Sequence, residues 1–154
     1  MIVNKKIKNA TSTEFNGIKL KSKLEVMVYK TLLQEGFKPN YEQTKYIIWE
    51  GFKPSVLTYK PDKSGELVIQ NKKLIDITYT PDFLFVAPDN KTLVILEVKG
   101  FCNDLYPVKE KMFRKFLEEL SENYNQPVIF FQIKTKKQLL QAIKIINENF
   151  KKNE

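Results

Sequence analysis

Histidine is absent from this sequence, and cysteine occurs once, at Cys102. Without histidine there is no Ser-His-Asp triad, no Cys-His pair, no histidine-ligated nuclease metal and no imidazole general base. A lone cysteine excludes an internal disulfide and a cysteine-cluster zinc site. No base accompanies Cys102, so it reads as a small buried residue. No apolar run approaches the roughly 20 residues that cross a bilayer. The opening stretch, MIVNKKIKNATSTEF, carries lysines but no apolar core of a signal peptide. A cytoplasmic protein is expected. Internal repeats, low-complexity tracts and interdomain linkers are missing as well.

What remains for chemistry is carboxylates, lysine, hydroxyls and a hard metal ion. The 154 residues fit one domain with a single core. Lysine and arginine number 26 against 18 acids, for a net charge of +8. Such a balance favours a polyanionic partner, and nucleic acid is the usual one. The plainer reading is that lysine keeps the protein soluble.

Residues 1–20 are polar and lysine-bearing without a clear period, and read as a loose basic arm ahead of a domain over 21–150. Ser22 opens a helix that Gly36 stops, with Leu24, Val28, Leu32 and Leu33 as its apolar stripe. Short strands follow over 43–49, 56–59, 67–70, 74–79 and 83–86, and then 92–99. The last reads TLVILEVK, apolar on both faces until Glu97, which marks a central strand covered by helices. A second helix starts near Pro107, with Val108, Met112, Phe116 and Leu120 as its stripe. The strand at 127–133 is expected to run parallel to 92–99 through a helical crossover. Thr135 caps a third helix striped by Leu139, Ile143, Ile146 and Phe150. The expected fold class is α/β, a mixed central sheet flanked by helices in the order α-β-β-β-β-β-α-β-α.

Glu97 and Lys99 are two apart on a strand and so leave the same face, at its end, just before Gly100. An acid and a lysine after five apolar residues are costly to bury without partners. The turn at Pro88–Lys91 should fold 83–86 against 92–99 as a hairpin, which sets Asp82 opposite Glu97. Two converging carboxylates repel unless a cation lies between them. Oxygen ligands suit magnesium or manganese rather than zinc. Lys99 beside such an ion would orient a water or neutralise a phosphate. The competing readings are a surface ion pair for Glu97 and Lys99, and a post-proline turn residue for Asp82.

TPDF, fifteen residues from Asp82 to Glu97, and then EVKG resemble the signature of the PD-(D/E)XK nuclease superfamily. Glu25 in SKLE is similar to the glutamate that members place on their first helix. The resemblance extends over most of the chain and is nearest to small phage and prophage endonucleases, with a core like those of phage resolvases and Tn7-type transposition endonucleases. It implies a restriction-endonuclease-like fold. It also implies an endodeoxyribonuclease in which Asp82, Glu97, the Val98 carbonyl and Glu25 hold Mg2+ or Mn2+. Lys99 would activate the attacking water, and the products would carry a 5′-phosphate and a 3′-hydroxyl. By the same analogy the substrate is branched DNA such as a Holliday junction, cut by a homodimer in a bacterial or phage-infected cell.

Glu25 has a second reading, because Ser22-Lys23-Leu24-Glu25 is a capping box. Lys109, Lys111, Arg114 and Lys115 on the second helix form a candidate phosphate-binding face, or an ordinary solvated face balanced by Glu110, Glu118 and Glu119. Arm lysines Lys5, Lys6, Lys8, Lys19, Lys21 and Lys23 are further DNA candidates. Asp62, Asp76, Asp89 and Asp104 read as turn, strand or cap residues. Trp49, Phe52 and Tyr59 read as packing aromatics. The main alternative function is a non-catalytic DNA-binding module on a nuclease-like fold. A basic protein-binding surface is a third reading.

Overall fold

A computed structural model describes residues 12–100 and 105–152. Lys5, Lys6, Lys8, Cys102 and Asp104, which figured in the expectations above, lie outside the described residues.

Residues 13–20, the described end of the expected arm, form a hairpin, β1 (Thr13–Phe15) and β2 (Ile18–Leu20), turned by Asn16 and Gly17, both at positive φ. Period-2 burial explains it: Phe15 and Ile18 pack against the core and Leu20 is fully buried.

Helix α1 (Lys23–Gln34) starts at Ser22, whose hydroxyl accepts the Glu25 N–H at 3.1 Å. It ends in a glycine cap. Gly36 takes φ 84°, its N–H reaches the Leu33 carbonyl, and Phe37 N–H reaches that of Leu32.

Seven strands then run to the second helix: β3 (Asn40–Tyr41), β4 (Tyr46–Trp49), β5 (Tyr59–Pro61), β6 (Leu67–Ile69), β7 (Ile77–Tyr79), β8 (Phe83–Val86) and β9 (Leu93–Val98). Helix α2 (Tyr106–Tyr124), strand β10 (Val128–Ile133) and helix α3 (Lys136–Asn149) complete the chain. Thr135 caps α3 as expected, accepting from Gln138 N–H at 3.2 Å.

The fold is α/β, but its strands do not share one sheet. Four of them form a mixed sheet in the order β10-β9-β8-β3, while β1-β2, β4-β7 and β5-β6 are separate two-stranded pairs. The division has a local cause. Pro81 has no N–H for a ladder and breaks the extended chain between β7 and β8. Strand β7 therefore pairs with β4 instead of continuing into the main sheet.

Within the main sheet β9 runs parallel to β10 and antiparallel to β8, as the hairpin and crossover readings anticipated. Its two faces are covered by different helices. Val94, Leu96 and Val98 point into a core with Val28 and Leu32 of α1 and Leu139, Ile143 and Ile146 of α3. Leu93 and Ile95 point the other way, toward Phe113 and Leu117 of α2. Strand β9 is thus buried on both sides, which accounts for its unbroken apolar run.

The stripe expected on α2 holds in part: Phe116 and Leu120 pack against the core and Met112 is half-buried, but the buried residues are Phe113 and Leu117, and Val108 is 58% exposed. Phe113 stacks on Tyr79 with ring centroids 4.1 Å apart and meets Phe130 edge-on at 5.5 Å. These aromatic partners come from distant strands and set the rotation of the helix.

Candidate active site

The site forms where β8, β9 and the start of α1 meet. The β8–β9 register pairs Phe83 with Leu96, so Asp82 falls in line with Glu97, one step further along the ladder. Alternation places Glu97 and Lys99 in phase with Ile95, and Asp82 in phase with Leu84, on the face that α2 covers.

Asp82 Oδ2 accepts the Val98 N–H at 2.7 Å, which stitches the two strands together beyond their last paired residues. Glu97 is 5% exposed, and one of its oxygens meets Lys99 Nζ at 2.5 Å. Lys99 Nζ lies 3.6 Å from the ring centre of Tyr106, so its charge is held between a carboxylate and an aromatic face. The other carboxylate oxygen, Glu97 Oε2, is buried, and besides an interaction with the Tyr79 hydroxyl too poorly aligned for a good hydrogen bond it has no partner among the described residues. The Tyr79 hydroxyl is buried nearby; desolvation first, and then the charge of Glu97, push its pKa upward. Strand β7 thus delivers a tyrosine that sequence reading did not pick out, and nothing in its local pattern marked it.

Glu25 arrives from α1 and is 8% exposed. Its two readings coincide in one side chain. Oε1 accepts from the Ser22 hydroxyl at 2.9 Å, and Oε2 accepts from Lys21 N–H at 2.9 Å, so it does cap the helix. Oε2 also accepts the Tyr41 hydroxyl at 2.5 Å. Tyr41 is the register partner of Phe83, next to Asp82, which draws Glu25 toward the other acids.

The clearest sign of convergence is electrostatic. Asp82 is pushed up to about 7, first by burial, then by the charge of Glu97, with Glu25 adding in the same direction. The Val98 N–H and Lys99 oppose the rise without cancelling it. Asp82 therefore feels Glu25, Glu97 and Lys99 together.

Among the described residues no three acid side chains form a ready-made metal cage. The available donors are the Asp82 carboxylate, Glu97 Oε2 and backbone carbonyls at the strand end. All are hard oxygens, which suit magnesium or manganese.

The proposed phosphate-binding face divides. Lys109 is half-buried and turns inward, with Nζ 3.3 Å from the Thr78 carbonyl beside Tyr79. Lys111 is exposed. Arg114 and Lys115 are exposed but lie 3.5 and 3.3 Å from Glu110 and Glu119 on their own helix. A groove of about 540 Å3 between α2 and β10 is lined by Arg114, Glu110 and Gln132. Gln132 is the register partner of Glu97, so the groove runs beside the acids on the α2 face of the sheet.

The profile of the family described as "Protein of unknown function (DUF1064)" matches residues 5–137. The chain belongs to the DUF1064 family. That match spans every residue of the DUF1064 site described above, from Glu25 on α1 to Gln132 on β10. No curated protein and no solved structure matches this DUF1064 chain.

Proposed function

We propose that this protein is a metal-dependent endodeoxyribonuclease with a restriction-endonuclease-like arrangement around its main sheet. The observation that carries the reading is a deficit of positive charge at a buried point. Asp82 and Glu97 stand opposite each other on adjacent strands, Asp82 is pushed up to about 7 with the charge of Glu25 contributing, and Glu97 Oε2 is buried with no cation of its own among the described residues. A fold spends several kcal/mol to hold acids this way unless a cation joins them.

Asp82 and Glu97, with the Val98 carbonyl, would hold Mg2+ or Mn2+, and Glu25 would add to the ligand field through Asp82's side of the site. When bound, the ion supplies Lewis-acid stabilisation of a phosphoryl oxygen and a more acidic water. Lys99, fixed by Glu97 and Tyr106, holds its ammonium where it orients that water or neutralises the non-bridging oxygen of the phosphate. Burial of the acids between β8, β9 and α2 excludes bulk water and strengthens each of these interactions. Branched DNA cut by a homodimer, in the cytoplasm of a bacterial or phage-infected cell, is the setting that fits the resemblance to phage resolvases. Among the described residues no helix is long and apolar enough to cross a membrane.

One observation favours the non-catalytic alternative. Glu25 is fully engaged with Ser22, Lys21 and Tyr41, and Glu97 already has Lys99, as in a structural network. Cleavage decides between them. Labelled duplex, single strand, flap and four-way junction are incubated with magnesium, manganese or chelator. Wild type should cut at least one of them only with metal. Lys99→Ala and Asp82→Ala should lose at least about 100-fold in rate while still binding DNA. No cutting of any substrate, with DNA binding unaltered in both variants, would promote the binding module.

A further inference from the structure

Between β4 and β7 the chain makes one long excursion, out along 51–61 and back along 66–76. The two legs run antiparallel. Leu74 N–H reaches the Phe52 carbonyl at 2.8 Å, Gln70 N–H reaches that of Thr58 at 2.8 Å, and Asp62 N–H reaches that of Glu66 at 2.9 Å. Tyr59 faces Ile69, Lys60 faces Val68, and Pro61 faces Leu67. At the root, Asp76 Oδ1 accepts the Gly51 N–H at 2.7 Å, and the Leu74 carbonyl lies so close to Gly51 that any Cβ there would collide with it. The excursion is a two-stranded ribbon with a fixed root.

Its faces differ. Alternation puts Tyr59, Pro61, Leu67 and Ile69 on one side. All are exposed, Leu67 at 68% and Tyr59 at 54%. Pro61 and Leu67 form the last pair before the tip, which Asp62 turns by accepting from Ser64 and Glu66 N–H. Ordinary packing roles do not fit these side chains, because an uncovered apolar ribbon face marks an interaction site.

We propose that this ribbon is a DNA-binding wedge, with Pro61 and Leu67 entering between base pairs and the ribbon lysines holding the flanking backbone. The inference rests on the nuclease reading for why DNA is present, but on different residues. Charge favours nucleic acid: residues 51–76 carry Lys53, Lys60, Lys63, Lys72 and Lys73, all exposed, against Asp62, Glu66 and Asp76, an excess of two positive charges. A two-stranded ribbon matches a DNA groove in width, and proline and leucine are among the side chains that unstack a base step and kink the duplex. Position supports it as well: β7 leads back from the ribbon to Tyr79 beside Glu97, and then to Asp82.

The test uses the full-length protein in chelator and a fluorescein-labelled duplex containing 2-aminopurine, whose fluorescence rises on unstacking. Three forms are compared with wild type: Pro61→Ala with Leu67→Ala, Lys60→Glu with Lys63→Glu, and Leu67→Ala alone. The substituted ribbon positions are exposed, and thermal melts check that each form folds. Wild type should bind and raise the fluorescence. The lysine pair should weaken binding about ten-fold or more, and the apolar pair should abolish the rise. Ribbon variants that bind and unstack like wild type overturn the proposal, as does a wild type that does not bind the duplex. Sedimentation showing that ribbon variants convert a dimer to a monomer would assign the face to a second copy and overturn it too. Metal-supported cleavage by wild type is scored separately, so a failed nuclease reading and a failed wedge give different results.

Discussion

Asp82 is the residue on which the site turns. Its carboxyl is raised from an ordinary value of 3.8 to about 7, so the folded protein binds a proton there that the unfolded chain has released. Folded protein therefore binds more protons than unfolded between about pH 4 and pH 7, and stability falls as pH rises through that window. In chelator the melting temperature should drop between pH 5 and pH 8. Asp82→Asn should flatten the profile and raise stability at pH 8, and millimolar magnesium should restore wild type there. A wild-type melting temperature that is level or rising across this range would count against crowded acids. At this scale the sequence was informative. Asp82, Glu97 and Lys99 could be placed by strand parity and one turn, because both rules are local. Tyr79 could not, since its role comes from β7 pairing with β4 rather than with a neighbour in sequence. Tyr41 was hidden likewise, on a two-residue strand too short to leave a pattern.

Among the elements, α2 separates local from tertiary information most clearly. Its existence, its proline start and its length were readable, but its rotation was not. Val108, Met112, Phe116 and Leu120 fit a helical period as well as Phe113 and Leu117 do; contact with Tyr79 and Phe130 centres the buried face on Phe113 and Leu117, with Phe116 and Leu120 on its flank and Val108 left outside. Phe113→Ala should therefore cost roughly 3–5 kcal/mol, as for a large aromatic removed from a core. Val108→Ala, at a 58% exposed position, should cost less than about 0.5 kcal/mol. Urea unfolding of the two variants measures both, and equal losses would restore the other phase. The two hairpins behaved differently again. The β8–β9 hairpin was legible from its turn. The β1–β2 hairpin was missed although Asn16-Gly17 between Phe15 and Ile18 is a hairpin turn, because strands of three residues each leave too short an alternation to stand out.

For the whole molecule, the parallel crossover β9-α2-β10 and the mixed sheet were expected, whereas division into one main sheet and three pairs was not. The difference arises at Pro81, which was read as a brief interruption and in fact sends β4 and β7 out of the main sheet. That division separates two tasks. The main sheet, packed on both faces, gives the acids a rigid floor, and the β4–β7 pair carries the ribbon away from it.

The hairpin turn between β8 and β9 has a practical use. Asp89 closes it on itself, accepting from Lys91 N–H and Thr92 N–H at 2.9 Å each, and Asn90 at the tip is exposed with φ 57°. The acids are aligned from the other end, by strand pairing, so the number of residues between them is free to change. The Asn90–Lys91 bond is accordingly a splice point: a short glycine-serine linker or an epitope tag inserted there should leave metal-dependent cleavage within about two-fold of wild type. A tagged protein that folds but no longer cuts would mean that the turn itself touches DNA. One that cuts normally would provide a labelling handle close to the site that leaves its chemistry alone.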